Sequence, residues 1–191
     1  MIRLVRASRI LLLVLGIVSC PLGSVSAKVF ASQNQALSEA FPEASRVDRK
    51  THILRKRDVT RIEKLVREKI ESKIVVIHTA WDGDRILGHA HIDVHNVRTQ
   101  PEASLIVLTP EGSVRSVRIL AFHEPLDYMP AERWYAQFEA RSLEEPLRVG
   151  GDVHGIVGAT LSARATARGV RRALAFYEVL VRTAQQPPAD E

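Results

Sequence analysis

Gly158-Ala159-Thr160-Leu161-Ser162 stands at the entrance to the last helix that the sequence predicts, and its residue types suit the holding of an anion. A helix N-terminus offers unpaired backbone N–H groups and the positive end of the helix dipole. Gly158 has no side chain to keep a phosphate away, and Thr160 puts a hydroxyl beside it. Taken alone, Gly-Ala-Thr is a common tripeptide, and a threonine at a helix start is usually an N-cap. A phosphate site and a plain cap are both open on these residues alone.

The second set of chemistry-bearing residues is His89, His91, Asp93 and His95. Side chains alternate along a strand, so these four share one face, with Ala90, Ile92 and Val94 on the other. Three imidazoles and a carboxylate are zinc or copper ligand types. Ligands at i and i+2 lie in a line, however, so a closed metal site needs a further ligand such as His78 or His123. The plainer expectation is a polar, partly wet sheet face. No nucleophile elbow accompanies the histidines, so no hydrolytic set stands out.

The elements that must position these residues follow from periodicity. Ser32 to Phe41 reads as a short helix capped by Ser32, with Gln35 three residues on, and stopped by Pro42. Asp58 to Glu71 reads as an amphipathic helix with Val59, Ile62, Leu65, Val66 and Ile70 on one side. Strands are expected at 73–81, 86–97, 103–109 and 113–122, with Asp82-Gly83-Asp84 and Pro110-Glu111-Gly112 as turns. Short turns between sequential strands suggest an antiparallel meander. Pro130 opens a short helix in the favoured first position, with Trp134 and Phe138 four apart. Thr160 to Arg182 is the closing helix, with Leu161, Ala165, Gly169, Ala173, Phe176 and Leu180 as its apolar stripe. The fold class is α+β, an antiparallel sheet flanked by helices, with no alternating βαβ units and no Rossmann fingerprint.

The chain has 191 residues, 46% hydrophobic and 5% aromatic, enough for one domain plus a leader. Residues 1–27 read as a cleaved export signal. Arg3, Arg6 and Arg9 form the positive region, Ile10 to Val18 is an apolar run too short to span a bilayer comfortably, and Val25-Ser26-Ala27 is a cleavage site. Ile17-Val18-Ser19-Cys20 is similar to a lipobox, so lipidation at Cys20 is the second route out of the cytoplasm. Removing three arginines from a formal charge of +5 leaves about +2, too little to argue for nucleic acid. Cleavage after Ala27 also removes the single cysteine, and with it disulfide and thiolate chemistry. Residues 28–72 are then an N-terminal helical segment, 73–182 the functional domain, and 183–191 a disordered polar tail.

His154-Gly155-Ile156-Val157-Gly158-Ala159-Thr160-Leu161-Ser162-Ala163-Arg164-Ala165 resembles the flavinylation motif of the FMN-binding domain family. That family includes the covalently flavinylated subunits of the Rnf and Na⁺-translocating NADH:quinone oxidoreductase complexes. The resemblance spans about Lys73 to Leu180. In the family, Gly-Ala-Thr follows a Ser or Thr, with an Asp three residues earlier. Here Val157 and His154 stand at those positions, and Asp152 lies two residues out of register. Phe122-His123-Glu124-Pro125-Leu126-Asp127-Tyr128 looks like the His-Glu-Thr-Pro-Gly segment that flanks the flavin, without its Gly.

The resemblance implies an exported FMN-binding flavoprotein, with Thr160 esterified to the FMN phosphate by a separate flavin transferase. Tight noncovalent FMN in the same pocket is the other option. Gly158, Ala159, Leu161 and Ser162 would surround the phosphate, and Glu124 would flank the flavin. Tyr128 and Trp134 are the aromatics expected near the isoalloxazine, although Trp134 taken singly is the better candidate for core. His95 and Arg98 would lie at a strand end, with Arg98 facing the phosphate or the flavin O2. The implied role is electron transfer, as a carrier or a subunit, rather than stand-alone catalysis. The implied partner is a membrane quinone- or haem-linked protein, at the periplasm or the outer face of the cytoplasmic membrane. Arg164, Arg168, Arg171 and Arg172 form a face expected to be solvated, and able to steer an acidic partner. The competing function is a periplasmic metal- or ligand-binding protein built on His89, His91 and His95.

Overall fold

The computed structural model describes residues 28–185; the expected export signal, Cys20 and the tail beyond 185 lie outside the described residues. Its frame is one antiparallel sheet. The strands are β1 (Lys28–Val29), β2 (Arg46–Ile53), β3 (Ile74–Asp82), β4 (Arg85–Asn96), β5 (Pro101–Leu108) and β6 (Val114–Phe122). Their order in the sheet is β1-β6-β5-β4-β3-β2. β3 through β6 form the expected meander, β2 extends it beside β3, and β1 returns to pair with the end of β6, Lys28 opposite Phe122.

Two strands, β1 and β2, fall within the segment that the sequence pattern marks as helical. β2 reads Arg-Val-Asp-Arg-Lys-Thr-His-Ile and is exposed at nearly every position, on both faces. An edge strand with no buried face carries no apolar alternation, and its charges are what keeps such an edge from pairing further.

The helices pack on both sides of the sheet. α1 (Gln33–Ala40) begins where Ser32 Oγ accepts from the Gln35 N–H at 3.2 Å, as the capping pattern predicts. It buries Ala36 and Leu37 with Phe41 against Ala80, Ala90, Leu105 and Val107. α2 (Lys56–Val66) ends earlier than expected. Arg67 turns left-handed at φ 62° while its N–H bonds the Glu63 carbonyl, and the Glu63 carboxylate accepts from the Ile70 N–H. The short α3 (Glu132–Tyr135) starts two residues after Pro130, which lies ahead of the helix rather than in its first turn, and runs on as a 3₁₀ turn to Phe138.

α4 (Thr160–Tyr177) crosses the face opposite α1 and widens into a π-helical stretch over Glu178–Arg182. Thr183–Gln185 (α5), which the sequence assigns to the tail, is still helical. α4 is buried on most sides, between α2, the sheet and the α3 region. Leu161, expected on its buried stripe, is instead 50% exposed.

Gly169 shows how closely α4 lies on the sheet. A Cβ there would sit 2.6 Å from Asp93 Oδ2. In an open helix Gly→Ala stabilises by about 1 kcal/mol. Here Asp93 is held by Arg172 and His95, so it cannot give way. Gly169→Ala is expected to destabilise by roughly 1–3 kcal/mol through overpacking, read by urea unfolding. A stabilised variant would show that the close approach is unimportant.

Candidate functional site

The turn before α4 is set up by backbone needs. Gly158 has φ +84°, a left-handed value that favours glycine, and nothing lies within 4 Å of where its Cβ would be. The space above it is open. The N-cap position falls on Ala159, whose side chain cannot accept, so no side chain caps α4. Thr160 is therefore the first helical residue and not the cap. It is exposed, and its Oγ1 donates to the Ile156 carbonyl at 3.2 Å, leaving the oxygen's lone pairs free.

These residues line a cleft of about 220 Å³. Gly158, Ala159, Thr160, Leu161 and Ser162 form one wall, with Val97, Arg98, Glu124 and Tyr128 opposite. Eight of the ten residues singled out in the sequence thus meet at one place. Ser162 adds an observation the sequence could not supply. It is 1% exposed, and its Oγ has no hydrogen-bond partner among the described residues. The Oγ is itself buried, so Ser162 borders the cleft without presenting its hydroxyl to it.

Glu124 acts through the backbone. Its Oε1 accepts from the Thr99 N–H at 2.8 Å and the Gln100 N–H at 3.0 Å. The Thr99 bond, then the Gln100 bond, hold the carboxyl below its ordinary range. Glu124 so fixes the loop between β4 and β5, which carries Val97 and Arg98. Nothing in the sequence linked Glu124 to that loop, because the contact joins residues 25 apart.

Trp134 and His95 do not reach the cleft. Trp134 is 8% exposed and meets Tyr135 and Phe138 edge-to-face, each at 5.3 Å between ring centroids. Its Nε1 donates to the His154 carbonyl at 2.8 Å, while Gln137 Oε1 accepts from the His154 N–H at 2.7 Å. A buried indole N–H needs a partner, and here that need pins the loop leading to Thr160. Asp152 accepts from the Leu147 and Arg148 N–H groups and shapes the start of the same loop. The side chains of His154 and Val157 are left exposed.

The histidine face of β4 is buried beneath α4, not wet. His89 accepts or donates through Nδ1 to Thr79 Oγ1 at 3.0 Å and packs on Tyr177, and burial lowers its pKa to about 4. His91 Nδ1 bonds the Val76 carbonyl, and the ring meets Phe176 edge-on. Asp93 receives two bonds from Arg172, at 2.9 and 2.7 Å, and one from His95 Nδ1 at 2.6 Å. Burial alone would raise the Asp93 carboxyl; the bonds from His95 and Arg172 more than offset this and hold it well below the usual range. His95 Nε2 lies 3.7 Å from Glu102 Oε1, and Glu102 in turn accepts from Thr166 on α4. Among the described residues no group of three or more His, Cys, Asp or Glu is arranged to hold a metal ion.

In comparisons with known proteins, no protein-family model matches this chain, and no curated protein matches it. An uncapped helix end and an arginine can hold a phosphate, and the exposed Thr160 oxygen can be esterified. Among the described residues no helix is long and apolar enough to cross a membrane.

Proposed function

We propose that this chain is an exported flavoprotein of the FMN-binding-domain kind, carrying FMN through its phosphate on Thr160 and serving as an electron-transfer carrier or subunit. The observation that carries the reading is the convergence in one cleft of the open space over Gly158, the uncapped start of α4, the exposed Thr160 oxygen and Arg98.

The residues present fit such a group. A phosphodiester keeps one negative charge, which the N–H groups of Thr160, Leu161 and Ser162 and the helix dipole would stabilise. Arg98 adds a cation across the cleft, and Glu124 keeps the Arg98 loop in place. A cleft of about 220 Å³ is sized for the phosphate and part of the ribityl chain. The ring system would then lie at the mouth, where Tyr128 and Leu161 are half exposed. When bound, FMN supplies the capacity to take up and release one or two electrons.

The attachment would be made by a flavin transferase. Thr160 Oγ1 attacks the FMN phosphorus of FAD, the pyrophosphate bond breaks, AMP leaves and the hydroxyl proton goes to solvent. His154 and Val157 are exposed on the approach to Thr160, where a transferase must read the chain. Their departure from the family pattern bears on modification, not on the shape of the cleft.

The test is the intact mass of the protein co-produced in a periplasm with a flavin transferase, beside Thr160→Ala. Wild type should gain roughly 438 Da, one FMN less water, and the variant nothing. A colourless protein with no gain would overturn the reading. Yellow protein that releases FMN on denaturation would keep the flavin and discard the ester.

A further inference from the structure

A second cleft, of about 440 Å³, opens beside α4 close to the Thr160 turn. Five arginines line it: Arg67 at the end of α2, Arg148 in the loop before α4, and Arg164, Arg168 and Arg171 on α4. No carboxylate lines it. Arg67, Arg148 and Arg164 form no ion pair among the described residues, and Arg168 meets only Glu68, at 3.7 Å. Arg171 is fixed by two neutral acceptors, the carbonyls of Leu65 at 2.9 Å and Glu145 at 2.8 Å. Burial, and then the charge of Arg67, lower its pKa, against a smaller opposing effect of Asp152. Arg61 and Lys64 extend the basic surface along α2, where Glu178 is the one carboxylate among the described lining residues. The other arginines of this helical region, Arg172 and Arg182, are both paired to carboxylates.

The position matters as much as the charge. Thr160, Arg164 and Arg168 recur every four residues, so they lie on one stripe of α4 that begins at the proposed flavin attachment point. Val157, fully exposed, and Leu161, 50% exposed, supply apolar surface at the same end. Apolar contact with a cationic border is the anatomy of a docking face, and a cleft lined by one sign of charge focuses the field on an approaching partner.

We propose that this arginine-lined face docks an acidic redox protein, one whose own redox centre is ringed by carboxylates. Describing the partner as a redox protein rests on the flavin reading of Thr160; the charge complementarity does not. A concave cleft walled by α2, the loop before α4 and α4 itself fits protruding Asp and Glu side chains better than it fits a flat bilayer.

The experiment titrates the full-length protein against an acidic cytochrome c, a basic cytochrome c and phosphatidylglycerol vesicles, at low and moderate salt. It includes the double variant Arg148→Glu/Arg164→Glu, its lysine counterpart Arg148→Lys/Arg164→Lys, and Thr160→Ala. Among the described residues Arg148 and Arg164 have no side-chain partners to lose, and circular dichroism checks that the variants fold. The acidic cytochrome should bind wild type, the lysine variant and Thr160→Ala alike, weaken steeply with salt, and bind the glutamate variant at least tenfold more weakly. Equal binding of the acidic cytochrome to wild type and the glutamate variant would overturn the proposal, as would equal binding of the two cytochromes to wild type. Arginine-dependent vesicle binding with unchanged cytochrome binding would overturn it in favour of lipid. Arginine-dependent cytochrome binding by a chain that never acquires flavin would support the docking face and sink the flavin reading separately.

Discussion

Arg172→Met is expected to destabilise the fold by about 3–5 kcal/mol, the range for breaking a buried ion pair from one side. Arg172 donates to both oxygens of Asp93 and, at 2.6 Å, to Glu68. Asp93 is 4% exposed. Without the guanidinium it keeps the bond from His95 and the more distant His91 ring at 4.0 Å, and must stay ionised in a poor medium or take up a proton. The same contact ties α4 to β4 and to the segment just after α2, so the loss should spread to the Thr160 turn, which has no side-chain cap among the described residues to hold it. Urea unfolding would read the change, and flavin loading should fall with it. The double variant Asp93→Asn/Arg172→Met should recover part of the loss, because it leaves no unpaired buried charge. A single-variant loss below about 1 kcal/mol, typical of exposed pairs, would sink this account.

The sheet was legible because four of its strands carry buried faces. Their apolar runs and the turns at Asp82-Gly83-Asp84 and Pro110-Glu111-Gly112 mark both number and order. β2 left no such trace, since Arg46 to Ile53 is an edge strand bathed on both sides. The cleft was legible for a different reason. The Gly158-Ala159-Thr160 turn is local, and local geometry follows from residue type: a left-handed glycine, a small residue, a hydroxyl, a helix. Trp134 lies in the core, the placement its type favours taken singly, because a large ring with one polar atom is best placed in a core that offers one acceptor. Readings that depend on which way a side chain faces across the fold fared worse. His95 turned under α4, towards Asp93 and Glu102. The arginines of α4, read as one solvated face, divide into Arg172, half-buried and paired to carboxylates, Arg171, half-buried on backbone carbonyls, and Arg164 and Arg168, which are exposed. Spacing alone cannot separate them, because the partner carboxylates come from β4 and from the segment just after α2.

Glu102→Gln is expected to change how stability depends on pH. Glu102 is fully buried, and burial pushes its carboxyl from 4.5 up to about 7. It faces His95 and Asp93 on β4 and Thr166 on α4, and it acts on the buried Tyr135 hydroxyl. Its Oε2 has no partner among the described residues. Because the native state holds this proton more tightly than the unfolded chain, native protein binds more protons between pH 4.5 and about 7. Stability from this group is therefore fully present below 4.5 and is lost as pH rises through about 7. A shift of this size corresponds to roughly 3 kcal/mol at most. Glutamine keeps the shape and removes the titration. The variant should match wild type near pH 5 and exceed it by up to about 3 kcal/mol near pH 8. Melting curves of both proteins across that range would decide it. Parallel profiles would mean that Glu102 ionises without penalty, with the buried pair of Asp93 and His95 absorbing its charge.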